Sequence, residues 1–119
     1  MQVVIVTGRK DALRDFAQGL GGEVEWAESR ADVLGRAAKA PWKLVVADAM
    51  TPGLDYKAFL TELLRVNAML NTVVVTDMDG ETFHEDSEGL GVLNAVPALP
   101  GREDGEKVLA RLKRILGLG

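Results

Sequence analysis

Lys43-Leu44-Val45-Val46-Ala47-Asp48-Ala49-Met50-Thr51-Pro52-Gly53-Leu54-Asp55 is the stretch on which the reading of this chain turns. Leu44 to Ala47 is an apolar run of strand length without polar alternation, the pattern of a strand covered on both faces in a parallel sheet. The run stops at a carboxylate, Asp48, and the chain then breaks at Pro52-Gly53, a turn signal. One acid is thereby set at the carboxyl end of a central strand. In open α/β sheets that edge is where ligands and chemistry sit.

On the N-terminal side, Gln2 to Thr7 reads as a buried strand and Gly8-Arg9-Lys10 as its exit loop. Asp11 to Leu20 has a helical stripe at Leu13, Phe16, Ala17 and Leu20. Gly21-Gly22 ends it by supplying left-handed backbone geometry. Glu23 to Ala27 alternates as a short strand with one wet face, suited to a sheet edge. Ser29 is a candidate helix cap with Asp32 three residues on, and the helix carries Ala31, Leu34, Ala38 and Val33 as its apolar residues before Pro41 stops it.

On the C-terminal side, a helix over Tyr56 to Met69 turns Phe59, Leu60, Leu63, Leu64 and Met69 inward. Thr72 to Thr76 is the next buried strand. Asp77 to Gly89 is polar and acidic and reads as a short or irregular helix. Gly91 to Val96 is a weak fifth strand, and Pro97, Pro100 and Gly101 make a rigid loop. Asp104 to Leu116 is the last helix, with Val108, Leu109, Leu112, Ile115 and Leu116 toward the sheet. Strands alternating with helices imply a parallel sheet with right-handed crossovers. Five βα units in 119 residues predict one domain of three-layer flavodoxin-like (βα)5 architecture: a five-stranded parallel sheet in the order 2-1-3-4-5.

The bulk composition narrows the function classes. Hydrophobic residues make up 47% and charged residues 27%, an ordinary balance for a soluble globular domain. No apolar run approaches a membrane span, so no membrane role is expected. The chain opens directly into Val3-Val4-Ile5-Val6, a first strand and not a signal peptide, and a cytoplasmic location is the default expectation. The absence of cysteine excludes disulfides, thiolate metal sites and cysteine nucleophiles. A net charge of −4 and a pI near 5.0 offer no footprint for nucleic acid. The one basic cluster, Lys107, Arg111, Lys113 and Arg114, suits the dipole of the last helix.

Asp48 followed by Pro52, Gly53 and Asp55, within this βα order, resembles the phosphoacceptor loop of bacterial response-regulator receiver domains, the CheY-like family. The resemblance covers residues 1–119 and implies a stand-alone module with no attached effector domain. It places the phosphoacceptor position at Asp48 and the switch hydroxyl at Thr76. Such receivers hold magnesium with two acids after the first strand and use a lysine at the end of the fifth, because phosphoryl transfer is mostly positioning and charge neutralisation. Here the acidic positions fall on Thr7 and Gly8, and the lysine position falls near Ala98. The expectation is therefore a degenerate or pseudo-receiver, not an enzyme and without a cofactor, in which Arg9 or Lys10 reaches toward Asp48 and the neighbouring acid Asp77 in place of metal and lysine. The other reading of Arg9 and Lys10 is as solvated loop residues, preferred for Lys10. An aspartate before a Pro-Gly turn also bonds amides of its own loop, and Thr76 is also a β-branched residue finishing a strand.

Other signals are weaker. Thr7-Gly8 lacks the glycine spacing of a dinucleotide or P-loop site. His84, the one histidine, is a poor metal site among scattered acids, and neither Ser29 nor Ser87 sits in a nucleophile elbow. Trp26 and Trp42 read as core or edge packing. What the resemblance implies about partners is a protein, such as a histidine kinase or another signalling protein. In that family the face of the fourth helix, fifth strand and fifth helix mediates dimerisation. Here it would bring Glu81, Glu85, Asp86 and Glu88 to the basic residues of the last helix, which suits a homodimer, and the other reading is a solvated surface of mixed charge. The alternative is a working two-component receiver, phosphorylated on Asp48 with magnesium. A third reading, an enzyme or small-molecule binder, rests on fold analogy alone.

Overall fold

Odd and even positions of the central strands go to different cores, and this parity builds the molecule. In the computed structural model, which describes residues 1–118, the strands are β1 (Gln2–Val6), β2 (Glu23–Ala27), β3 (Leu44–Asp48), β4 (Asn71–Val75) and β5 (Asn94–Val96). Val3, Ile5, Leu44, Val46, Val73 and Val75 pack into one hydrophobic cluster. Val4, Val6, Val45, Ala47 and Val74 pack into the other. Successive side chains of a strand point to opposite faces, so a strand with a core on each side must be apolar throughout. All pairings are parallel, in the order β2-β1-β3-β4-β5. Ala47 and Asp48 of β3 lie in register with Val74 and Val75 of β4, and Ala47 with Val6 of β1.

The helices are α1 (Arg14–Leu20, entered through a 3-10 turn at Lys10–Leu13), α2 (Arg30–Arg36), α3 (Tyr56–Val66), α4 (Gly80–Asp86) and α5 (Arg102–Ile115). Side-chain caps start three of them. Ser29 Oγ accepts from the Ala31 and Asp32 amides, Asp55 from Ala58, and Asp79 from Thr82. The α1–α5 layer has no room for side chains at its centre. A Cβ on Gly19 would lie 1.9 Å from the Arg102 carbonyl oxygen, and one on Gly105 2.2 Å from that of Phe16. Glycine at both positions is what lets the two backbones touch.

Several expectations about helix faces are corrected. α3 ends at Val66, and Met69, expected inward, is 87% exposed while Leu70 is buried. In α2 the buried positions are Val33 and, just beyond it, Ala37, while Ala31 and Ala38 are exposed. Ile115 faces solvent at the end of α5. The errors have two causes. Met69 and Ala38 lie beyond the ends of their helices, where the helical period no longer applies. At Ala31 and Ile115 periodicity fixes the angle between side chains, while the neighbours that cover a helix determine which angle is inside. Asp32 completes no capping box; its carboxylate pairs with Arg36 at 2.9 Å. Among the described residues no helix is long and apolar enough to cross a membrane.

Candidate functional site

The β3 strand delivers Asp48 to the carboxyl edge of the sheet with its residue fully buried. A buried carboxylate costs several kcal/mol unless it is paired and hydrogen-bonded, and here donors from two loops, after β1 and after β3, meet it. Arg9, in the loop after β1, approaches side-on: Nε donates to Oδ2 and Nη2 to Oδ1, both at 2.8 Å. This bidentate fork matches two oxygens with two donors at fixed spacing, a geometry that lysine lacks. The Thr7 hydroxyl donates to Oδ2 at 2.7 Å, the Thr51 hydroxyl to Oδ2 at 3.1 Å, and the Met50 amide to Oδ1 at 3.0 Å.

A second layer holds these donors in place. The Arg9 amide donates to Thr7 Oγ1 at 2.7 Å, and the Gly8 amide to Thr51 Oγ1 at 3.0 Å. Arg9 Nη2 also donates to the Ala98 carbonyl at 3.0 Å, tying the loop after β5 to the same guanidinium. Burial pushes the Asp48 carboxyl up, but the hydrogen bonds from Arg9, Thr7 and the Met50 amide, with the Arg9 charge, outweigh it and hold its pKa below the usual aspartate value.

The other residues singled out in the sequence lie elsewhere. Lys10 does not reach Asp48; its Nζ sits 5.3 Å from the centroid of the Trp26 ring. Asp77 is exposed and takes no bond from Arg9; it lines a cleft with Thr76, Met78, Gly80 and Ala95 to Ala98. Thr76 is buried at the end of β4, and its hydroxyl accepts from the Met78 amide at 3.2 Å. Asp86 turns to α3, where it accepts from the Tyr56 hydroxyl and pairs with Lys57 at 3.3 Å. Trp42 is core, with Arg36 stacked 5.0 Å from its ring centroid. The resemblance set Thr7 and Ala98 at the site only as positions lacking the acid and the lysine. Nothing local announced that the Thr7 hydroxyl bonds Asp48, or that the Ala98 carbonyl bonds Arg9, 89 positions away. The Thr51 hydroxyl, three residues from Asp48, was passed over as part of the turn.

A magnesium ion does not fit this cluster. Mg²⁺ wants near-octahedral oxygen ligands, usually with one or two carboxylates. Asp48 is the only carboxylate here, both its oxygens are engaged, and the Thr7 and Thr51 hydroxyl oxygens already accept the Arg9 and Gly8 amides while donating to it. A divalent cation would have to displace the guanidinium. Among the described residues, no group of three or more His, Asp or Glu side chains gathers as a metal cluster.

No protein-family model matches the sequence, and no curated protein matches it. Solved structures do resemble it. A CheY-like response regulator receiver domain protein from Methanospirillum hungatei superposes with a TM-score of 0.79 at 20% identity, over 99% of this chain and 98% of the other. The chemotaxis response regulator CheY4 of Vibrio cholerae gives 0.76 at 18% identity, over 93% and 97%. A two-component response regulator from Legionella pneumophila gives 0.79 at 14% identity, over 96% and 98%. The chain has the fold of CheY-like response-regulator receiver domains.

Proposed function

We propose that this chain is a signalling module on the receiver fold, acting by binding another protein and not by magnesium-dependent phosphorylation of Asp48. The observation that carries the reading is the bidentate Arg9–Asp48 pair. Asp48 stands at the strand end where the resemblance places a phosphoacceptor. A carboxylate that accepts a phosphoryl group needs one oxygen free for in-line attack and a cation to neutralise the incoming charge. At Asp48 the cation is built in, but it comes as a fork that engages both oxygens, with three further donors behind it. Arg9 thus stands in for the charge of metal and lysine while blocking the reaction they serve. Ala98, where the resemblance puts that lysine, contributes its carbonyl to the same guanidinium.

On this reading the output is a fixed protein-binding surface, presented to a histidine kinase or another signalling protein, in the cytoplasm and without a cofactor. The test is incubation of the purified chain with acetyl phosphate and magnesium, read by intact mass. The expected result is an unchanged mass. A stable gain of one phosphoryl group that Asp48→Asn abolishes would establish the alternative, a working two-component receiver, and overturn the proposal.

A further inference from the structure

Arg30 is the first residue of α2, and its side chain has no hydrogen-bond or ion-pair partner among the described residues. It is half-buried, and its Nη1 is the one buried side-chain nitrogen or oxygen among them without a partner. Arg9, half-buried on the same edge, is engaged with Asp48, and even the exposed Arg36 at the other end of α2 is paired, with Glu25 and Asp32. A guanidinium nitrogen removed from water and left unpaired is costly, so something beyond this chain is expected to satisfy it.

Arg30 lines a cavity of about 270 Å³ between the loop after β2 and the loop after β3, together with Ser29, Thr51, Gly53 and Glu28. Ser29 Oγ accepts from two amides, which leaves its own proton free to donate. We propose that this cavity binds a small oxyanion, a phosphate or a carboxylate, with Arg30 as its cationic contact. Arginine's planar fork is matched to both groups. Moving this side chain onto a ligand breaks no bond and relieves the unpaired Nη1. Glu28 is the one acid on the wall; it is exposed and unpaired, and it weakens the site without closing it. The cavity also borders Thr51, whose hydroxyl bonds Asp48. The site is independent of whether Asp48 is ever phosphorylated.

The test is titration of the ¹⁵N-labelled chain with inorganic phosphate and, separately, acetate, at constant ionic strength set by chloride. Saturable shifts confined to Ser29–Arg30 and Gly53–Leu54 are expected, and the stronger of the two arms identifies the class of anion. Arg30→Gln should weaken binding at least about tenfold, the loss of one charge-assisted contact. Arg65→Gln, which removes an exposed arginine of α3, should leave it unchanged, and Glu28→Gln should tighten it. Shifts that fail to saturate, that survive Arg30→Gln in a folded variant, or that fall equally in Arg65→Gln would overturn the proposal.

Discussion

Asp48 closes β3 and Asp86 closes α4, and each is tied to a side chain far away in sequence, yet the two ties are of different kinds. Asp48 is fully buried and meets a full charge, Arg9, in a two-point fork. Asp86 is part exposed and meets a neutral donor, the hydroxyl of Tyr56, with Lys57 at 3.3 Å on the solvent side. Tyr56 itself is buried and stacks on Phe83 with ring centroids 5.8 Å apart, so the Asp86 contact docks α4 on α3 largely through apolar area. The first arrangement neutralises a charge that could not otherwise stay inside. The second positions a short helix whose acid water would have solvated anyway. A buried charge therefore makes its partner indispensable, whereas a surface charge only makes its partner useful.

Removing Arg9 should break this contrast most strongly. Arg9→Met leaves Asp48 buried with hydroxyl and amide donors alone. It should cost about 2–4 kcal/mol by urea unfolding, the range for breaking a buried pair, discounted for the 25% of the Arg9 side chain that stays exposed. The double variant Arg9→Met/Asp48→Asn should recover most of that loss. If the double variant is no more stable than the single one, Arg9 acts by packing and not by charge.

Acid should reveal the same pair without a deletion. The folded pKa of Asp48 is depressed, so its stabilisation is complete above the ordinary aspartate value, near 4, and is lost as pH falls through the lower folded value. Urea midpoints measured from pH 5 downward should fall steeply in the wild type and less in Asp48→Asn. Some slope will remain in that variant, because Asp79 and Asp86 are shifted in the same direction by their own hydrogen bonds.

Alkali sharpens the other half of the comparison. Burial first, and then Asp86, pushes the Tyr56 hydroxyl well above its ordinary value near 10. A raised pKa contributes stability below the unfolded value that is lost above it. Tyr56 is the single tyrosine, so tyrosinate absorbance reports on it alone. That absorbance should appear only with alkaline unfolding, and Tyr56→Phe should remove the alkaline dependence. At neutral pH the same variant should cost about 1 kcal/mol, the net worth of one hydrogen bond, with faster amide exchange in α4. The smallest effect is expected at Lys57, which is 53% exposed. Lys57→Ala should shift Tm by less than about 2 °C, and added salt should erase the difference.

Much of the architecture is legible in the sequence. Leu44 to Ala47 carries no polar residue because both faces of β3 are covered, and that one fact separates a parallel three-layer fold from an antiparallel one. The turn at Pro52-Gly53, where Gly53 adopts φ +82°, was equally readable, since only glycine enters that region at little cost. Less legible were the helix limits. Met69 looked like the end of an inward stripe but follows Asn67, whose side chain leaves the helix to bond the Ala37 carbonyl at 3.2 Å. The contact between Gly19 and Gly105 was not readable at all, because two isolated glycines in helical segments announce nothing about each other.

By itself the sequence determined the alternation of strand and helix, the burial of the central strands on both faces, and the arrival of one acid at the carboxyl edge. These follow from periodicity and from the local chemistry of turns, which act between near neighbours in the chain. Tertiary structure alone decided what that acid meets. Arg9 lies 39 positions from Asp48 and Thr7 lies 41, and the Ala98 carbonyl that Arg9 also holds is 89 positions from it. They converge because parallel strands deliver all their following loops to one edge of the sheet. Of two adjacent cations in one loop, Arg9 turned to the carboxylate and Lys10 to the face of Trp26, because a fork reaches two oxygens at once and an ammonium loses less on an aromatic ring.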